Sequence, residues 1–265
     1  MLTQADKANA FRALHQRDSA FIIPNPWDVG TARLLAQLGF EALATTSAGF
    51  AFSVGQQDNT IGRDPMLAHV AAIVSATDLP VSADLENGFA DDPAGVATTI
   101  RMAAATGLAG GSIEDATGCA DPPIYEHGLA VERIRAAAEA VRALPFPFTL
   151  TARAENHLVG RTDLKDTIKR LQAYQEAGAD VLYAPGLVSE KDIAAVVNSV
   201  DRPVNVLMGG AGVPHTLAAL ARLGVKRVSV GSALSRAARE MREHGSFGFA
   251  DEAVSFREIS ALFKP

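Results

Sequence analysis

Leu79-Pro80-Val81-Ser82-Ala83-Asp84-Leu85-Glu86-Asn87-Gly88-Phe89 is the stretch on which the fold turns. A proline-led apolar run of strand character stops in two carboxylates at i and i+2. These share a face for as long as the chain stays extended, and Gly88 then turns it. Asp84 and Glu86 therefore sit where a strand gives out into a loop, the place where parallel α/β folds keep their chemistry. By itself the stretch also reads as a solvated strand end with a turn; charged endings after other strands weigh against that.

Outward from this stretch, the same pattern recurs. The fourth strand, 110–113, ends in Glu114-Asp115, and the fifth, 148–152, ends in Arg153-Ala154-Glu155. Upstream, a strand over 41–45 opens into a long loop over 46–63 that carries Ser47-Ala48-Gly49 and Asp58. Further strands are predicted at 20–23, 181–184, 203–207 and 227–230. Between them lie helices with recognisable punctuation: Asp28 as N-cap and Gly39 as stop, Asp64-Pro65 and Asp92-Pro93 as starts, Gly178 behind 164–177. Helices are also predicted at 131–143, 190–198 and 214–223, from Ser232 to about 244, and over 251–263. Spread over eight units, 265 residues give about 33 per unit, the repeat of a (β/α)₈ barrel folded as a single domain over 1–265. An open doubly wound sheet is the alternative. It needs a phosphate-binding glycine fingerprint after the first strand, and Pro24-Asn25-Pro26-Trp27-Asp28 is not one.

Composition narrows the class of partner. Hydrophobic residues make up 48% and charged residues 20%, a globular balance. With 24 basic against 30 acidic residues the net charge is −6 and no Lys/Arg block forms a phosphate-tracking stripe, so nucleic acid is not expected. The single cysteine, Cys119, excludes an intramolecular disulfide and an all-cysteine metal site. The first 16 residues are polar and mixed in charge, and no apolar run approaches about 18 residues. A cytoplasmic protein without a membrane partner is the expectation.

Strand ends supply the candidate chemistry: Ser47 and Asp58 after the second, Asp84 and Glu86 after the third, Glu114 and Asp115 after the fourth, Arg153 and Glu155 after the fifth, and Asn205 within the seventh. In a barrel these converge on one face. Clustered carboxylates around one arginine repel unless a cation lies among them, and all-oxygen donors favour Mg²⁺ or Mn²⁺ over zinc.

Four segments then carry a family resemblance, the last being Tyr174-Gln175-Glu176-Ala177-Gly178-Ala179-Asp180. Asp84-Leu85-Glu86-Asn87-Gly88-Phe89 resembles the Asp-x-Asp-x-Gly-Tyr/Phe motif of the isocitrate lyase/phosphoenolpyruvate mutase superfamily. Gly107-Leu108-Ala109-Gly110-Gly111-Ser112-Ile113-Glu114-Asp115 resembles its Gly-x-Ala-Gly-x-x-x-Glu-Asp segment, and Thr151-Ala152-Arg153-Ala154-Glu155 follows in order. The resemblance implies a Mg²⁺-dependent barrel acting on small 2-oxo or 2-hydroxy acids through an enolate-type intermediate. By position, Asp84 would be the direct metal ligand, with Asp58, Glu86 and Glu114 holding metal-bound waters. Ser47, Ala48 and Gly49 would receive a substrate carboxylate, with Thr46 a competitor should the alignment slip by one. Arg153 would bind the other end of the substrate through its planar fork, and Asn205 matches a carboxylate-binding asparagine. The candidate catalytic set is Asp58, Glu114 and Arg153. The resemblance also implies homo-oligomers, dimers or tetramers, with C-terminal helices from about 232 exchanged between subunits.

The loop after Glu114-Asp115 departs from the family pattern. The lyases carry Lys-Lys/Arg-Cys-Gly-His there, whereas this chain reads Ala116-Thr117-Gly118-Cys119-Ala120-Asp121, and a Lys-Thr-Asn-Ser-type mutase loop is absent. Cleavage of a 2-hydroxy acid needs a base and then an acid. Decarboxylation of a 3-carboxy-2-oxo acid needs mainly a stabilised enolate. The expected function is thus an oxaloacetate-type decarboxylase or related C–C lyase. The alternatives are a C–C or C–P hydrolase using Thr117 or an ordered water, and a binding protein for 2-oxo acids without turnover. Cys119 reads as an incidental loop thiol, His127 and His157 as surface or capping residues, Trp27 as packing, and Tyr183 as either barrel filling or a donor to substrate. Glu155 reads as either an orienting partner of Arg153 or a site residue. Gly209-Gly210-Ala211-Gly212 reads either as a phosphate-holding loop or as plain loop flexibility.

Overall fold

Short strands alternate with helices along the chain, and the computed structural model, which describes residues 2–209 and 215–236, winds them into a barrel. The strands are β1 (Phe21–Ile23), β2 (Leu43–Ala44), β3 (Val81–Asp84), β4 (Gly110–Glu114), β5 (Thr149–Arg153), β6 (Val181–Tyr183), β7 (Val204–Leu207) and β8 (Arg227–Ser229). The helices are α1 (Gln4–Gln16), α2 (Val29–Gln37), α3 (Ser47–Ser53), α4 (Arg63–Ser75), α5 (Pro93–Ala104), α6 (His127–Arg142), α7 (Leu164–Ala177), α8 (Glu190–Val197) and α9 (Leu217–Arg222). All ladders are parallel, in the order β1-β8-β7-β6-β5-β4-β3-β2. That is chain order around a ring, and it rules out the doubly wound alternative. The seam between β1 and β2 is stitched by the Ala44 N–H to the Pro24 carbonyl (3.1 Å) and by buried Asn25. The Asn25 amide donates to the Thr45 carbonyl (3.1 Å) and accepts from the N–H groups of Val230 and Gly231 (2.9 Å each).

Strand periodicity divides the residues between two cores. Val81, Ile113, Leu150, Leu182, Val206 and Val228 face outward against Val96, Ile100, Ile134, Leu171 and Ile193 of the helices. Full burial of each such side chain contributes about 1.5–3 kcal/mol. The inward set is different in kind. Barrel interiors are usually filled by branched aliphatics, but here Ser82, Ser112, Thr151, Asn205, Arg227 and Ser229 are all buried and, apart from Thr151, line a central cavity.

Several expectations need correction. The polar first 16 residues form α1, capped by Thr3 and Asp6, whose Ala8, Phe11 and Leu14 close the lower end of the barrel against Phe21 and Ile23. Gly110 permits this plug: a Cβ there would lie 2.6 Å from the Thr149 carbonyl and 2.9 Å from the Phe11 ring. The expected loop over 46–63 contains α3, because Thr46 takes the Gly49 N–H on its hydroxyl and starts a turn. Helix α4 begins at Arg63, ahead of the expected Asp64-Pro65 start. Gly62 at φ 78° serves as its N-cap and Pro65 falls in the first turn, where no N–H is needed. Helix α6 begins at His127 and α9 at Leu217. After β8, a 3₁₀ turn at Leu234–Arg236 stands where Ser232 was expected to open a helix. The remainder of the C-terminal helices, the question of their exchange, and Gly210 to Gly212 of the glycine-rich loop lie outside the described residues. Among the described residues no helix is long and apolar enough to cross a membrane.

Candidate active site

Arg153, the last residue of β5, organises the upper end of the barrel. Its Nε donates to Glu155 Oε1 (2.9 Å), Nη1 to Asp84 Oδ1 (2.8 Å), and Nη2 lies 3.0 Å from Glu114 Oε2. Parallel register makes this possible. Glu114 pairs with Arg153 across β4 and β5, and Asp84 with Ser112 across β3 and β4, so three consecutive strand ends deliver their charges to one point. The guanidinium also faces the Tyr183 ring, 5.2 Å away on β6. The second oxygen of Asp84 accepts from the backbone N–H (3.2 Å) and hydroxyl (3.0 Å) of Ser47, which start α3.

One guanidinium does not balance the acids around it. Burial raises the Glu114 carboxyl well above the ordinary range, with Arg153 pulling the other way. Burial, reinforced by the charges of Asp84 and Asp58, pushes Glu86 up to about 8. Asp58 is raised by burial and then by Asp84. Burial opposes the charge of Arg153, but Glu114, Glu155 and Asp84 outweigh it and hold the guanidinium protonated.

The expected extension of the strand through Glu86 is not what positions that residue. β3 stops at Asp84, and Glu86 (φ 50°) and Phe89 (φ 54°) both lie in the left-handed region, at a cost of about 1–3 kcal/mol each. A clamp holds them there. Arg133 of α6, 1% exposed, stacks 4.0 Å over the Tyr125 ring and donates to the carbonyls of Asn87, Ala90 and Asp91. The Tyr125 hydroxyl in turn bonds Asp91 (2.6 Å) and accepts from Asn87 (3.0 Å).

Of the residues predicted from sequence, Ser47, Ala48, Asp58, Asp84, Arg153 and Asn205 line one cavity of about 190 Å³, together with Thr46. That volume lies below the range of pockets for drug-sized ligands and suits a small acid. Gly49 is buried in α3, with its N–H given to Thr46. Glu86 opens onto an adjoining groove that it shares with Asn59 and Thr117. Glu114 stands behind Arg153, and Glu155 bonds its Nε.

Asp115 points away from the cluster. It accepts from Tyr174 (2.6 Å), from Arg170 Nη1 (3.0 Å) and from the Glu155 N–H (2.8 Å), bracing β4 against α7. Cys119 is exposed, and the Thr117 hydroxyl is turned to the Pro122 carbonyl (2.5 Å). Sequence reasoning missed Arg133 and Arg227. The second could have been found as an arginine opening a strand whose neighbours are apolar.

Whether these residues suit a divalent cation can be read from two atoms. Asp58 Oδ1 and Glu86 Oε1 are buried without a hydrogen-bond partner. Unpaired carboxyl oxygens in an over-acidic cluster fit a hard cation, whose charge would favour their ionised form. Among the described residues no three His, Cys, Asp or Glu side chains form a ready-made chelate.

The chain matches the family described as phosphoenolpyruvate phosphomutase over residues 11–246. A crystal structure of a putative lyase/mutase from Burkholderia cenocepacia J2315 is 63% identical, covers 99% of this chain and 97% of its own, and superposes with a TM-score of 0.90. The 2-methylisocitrate lyase of Escherichia coli K12 is 30% identical over 74% of this chain and 67% of its own. The oxaloacetate decarboxylase of Pseudomonas savastanoi pv. phaseolicola is 28% identical over 83% of this chain and 77% of its own.

Proposed function

The chain belongs to the phosphoenolpyruvate phosphomutase family, within the isocitrate lyase/phosphoenolpyruvate mutase superfamily, and from that premise we propose that it is a Mg²⁺-dependent lyase cleaving a C–C bond in a small 2-oxo acid, with oxaloacetate-type decarboxylation as the reaction. The observation that carries this reading is the convergence of Asp84, Glu114 and Glu155 on Arg153 beside the unpaired oxygens of Asp58 and Glu86. Asp84, with Asp58, Glu86 and Glu114 behind it, would hold the divalent cation, whose contribution is Lewis-acid polarisation of the oxo group.

The residues of the chain then bind and orient. Ser47 and Ala48 receive a carboxylate at the rim, with Gly49 shaping the turn that presents them. Arg153, fixed by Glu155, meets the acid beside Asp84, and Asn205 lines the inner wall. When the bond between C3 and its carboxylate breaks, the electron pair left at C3 is delocalised onto the oxo oxygen. Carbon dioxide departs without proton transfer, and C3 then takes a proton from water. No lysine or cysteine is required, in keeping with a loop in which Cys119 is exposed and Thr117 is engaged with backbone. The 265-residue chain would act as one barrel domain, as a cytoplasmic homodimer or homotetramer; Mn²⁺ would serve as Mg²⁺ does.

Incubation of the purified protein with oxaloacetate and Mg²⁺ tests the reading. Pyruvate should form well above the metal-only rate, and Asp84→Ala should return it to that rate while the fold is retained. Pyruvate formation equal to the metal-only control would remove the decarboxylase reading.

A further inference from the structure

Arg227 opens β8 and projects into the barrel below Arg153, 5% exposed, lining the same cavity as Ser47 and Asp84. Its hydrogen-bond partners are all neutral. Nε donates to Asn205 Oδ1 (2.9 Å), Nη2 to Thr151 Oγ1 (3.1 Å), and Nη1 lies 3.4 Å from His15 Nε2. Among the described residues no carboxylate pairs with it. Burial lowers the guanidinium to about 10, so it stays charged at neutral pH.

The surroundings add no counter-charge. Burial raises the Tyr183 phenol to about 12, leaving it neutral. His15 is neutral too, because burial and the adjacent Arg227 bring it down to about 3. The charge that acts on it is the like charge of Arg153. The other buried arginines differ. Arg153 and Arg170 pair with carboxylates, and Arg133 gives its donors to three backbone carbonyls with Asp91 and Asp92 nearby. Arg227 alone of these four combines a buried charge, neutral partners and a place on the cavity wall. A buried charge without a counter-ion is costly, and a planar guanidinium matches a carboxylate in two-point contact.

We infer that Arg227 is a carboxylate-binding residue at the floor of the cavity. It selects dianionic acids by holding a carboxylate that the reaction retains. That the carboxylate is one the reaction retains rests on the lyase reading; the anion site itself does not. The carboxylate concerned is a retained one because a guanidinium that stabilises its charge works against its departure as neutral carbon dioxide. Asn205 acts with it: its oxygen is held by Arg227 and its nitrogen by Ser229 Oγ (2.9 Å), which fixes the amide in the wall. The acid-rich rim and the cationic floor together orient an elongated anion along the barrel axis.

Malonate and propionate, a dianion and a monoanion of the same carbon count, are suitable probes, titrated calorimetrically with Mg²⁺ present into wild type, Arg227→Gln and Arg227→Met. Wild type should prefer malonate, and both variants should lose at least tenfold in malonate affinity while propionate changes little. In turnover, KM for a dianionic oxo acid should rise at least tenfold with kcat changed less than threefold. Should the methionine variant fail to fold, the glutamine variant, which can still bond Asn205, decides. Malonate affinity within twofold of wild type in either folded variant overturns the inference, as does protection of wild type by chloride as good as by malonate. If wild type turns over no oxo acid yet binds malonate through Arg227, the anion site stands and the lyase reading falls. If turnover occurs with an unchanged KM in the variants, the lyase reading stands and the inference falls.

Discussion

At the scale of single residues, the tension in this site is concentrated at Glu86. Its backbone is left-handed, one oxygen is unpaired, and burial together with Asp84 and Asp58 raises its carboxyl to about 8. The sign of the pH effect follows. Below about 4.5 both folded and unfolded chains carry the proton, whereas between there and about 8 only the folded chain keeps it. Stability without divalent cation therefore falls as pH rises through that window. Glu86→Gln should raise Tm at pH 8.5 and leave it unchanged at pH 4, checked by thermal denaturation in chelator; equal shifts at both pH values would sink the account. The carboxylates of this site were legible in the sequence because Asp84 and Glu114 end β3 and β4, and Asp58, Glu86 and Glu155 lie in the segments that follow strands. Their roles were not. Asp115 and Glu114 are neighbours in sequence and both buried, but Glu114, the last residue of β4, goes to Arg153 while Asp115, just past the strand, goes to Arg170 and Tyr174.

At the scale of elements, α1 and α3 are the pieces that sequence reading left without an element: α1 as a polar start and α3 as part of a loop. Helix α1 carries Ala8, Phe11 and Leu14 on one face of an otherwise polar segment, a stripe too thin to stand out until it meets the lower rim of a barrel. Helix α3 is too short to show a period. The plug depends on Gly110 as much as on α1. Gly110→Ala places a methyl group against backbone at 2.6 Å and should cost about 1–3 kcal/mol. Phe11→Ala removes the ring and should cost about 3–5 kcal/mol. Urea denaturation measures both, and a change below about half a kcal/mol for either would contradict the packing described. The strands and the helices with N-caps at Asp28 and Asp92 were readable because their signals are local: a capping side chain, a proline at the first turn, an apolar run.

At the scale of the whole molecule, the barrel is a tube with a charge gradient: acids around Arg153 at the top, Arg227 in the interior, and neutral His15 at the bottom. His15 gives the lower end a pH limit. Its folded value of about 3 lies below the ordinary 6.5, so as pH falls through that interval the unfolded chain takes a proton that the folded chain refuses, and stability is lost. His15→Gln should flatten stability between pH 6.5 and 4 in denaturant titrations; an unchanged slope would mean that the imidazole titrates freely. The eight-unit alternation and the strand-end acids were determined by sequence alone, because periodicity, caps and turns act over a few neighbouring residues. Only the tertiary structure decided which acids share Arg153, which brace α7, and that Arg227 lies on the cavity wall with no carboxylate paired to it among the described residues. Those outcomes depend on parallel register and barrel closure, which bring together Asp84 and Arg153, or Arg227 and His15, across spans of chain that no local pattern connects.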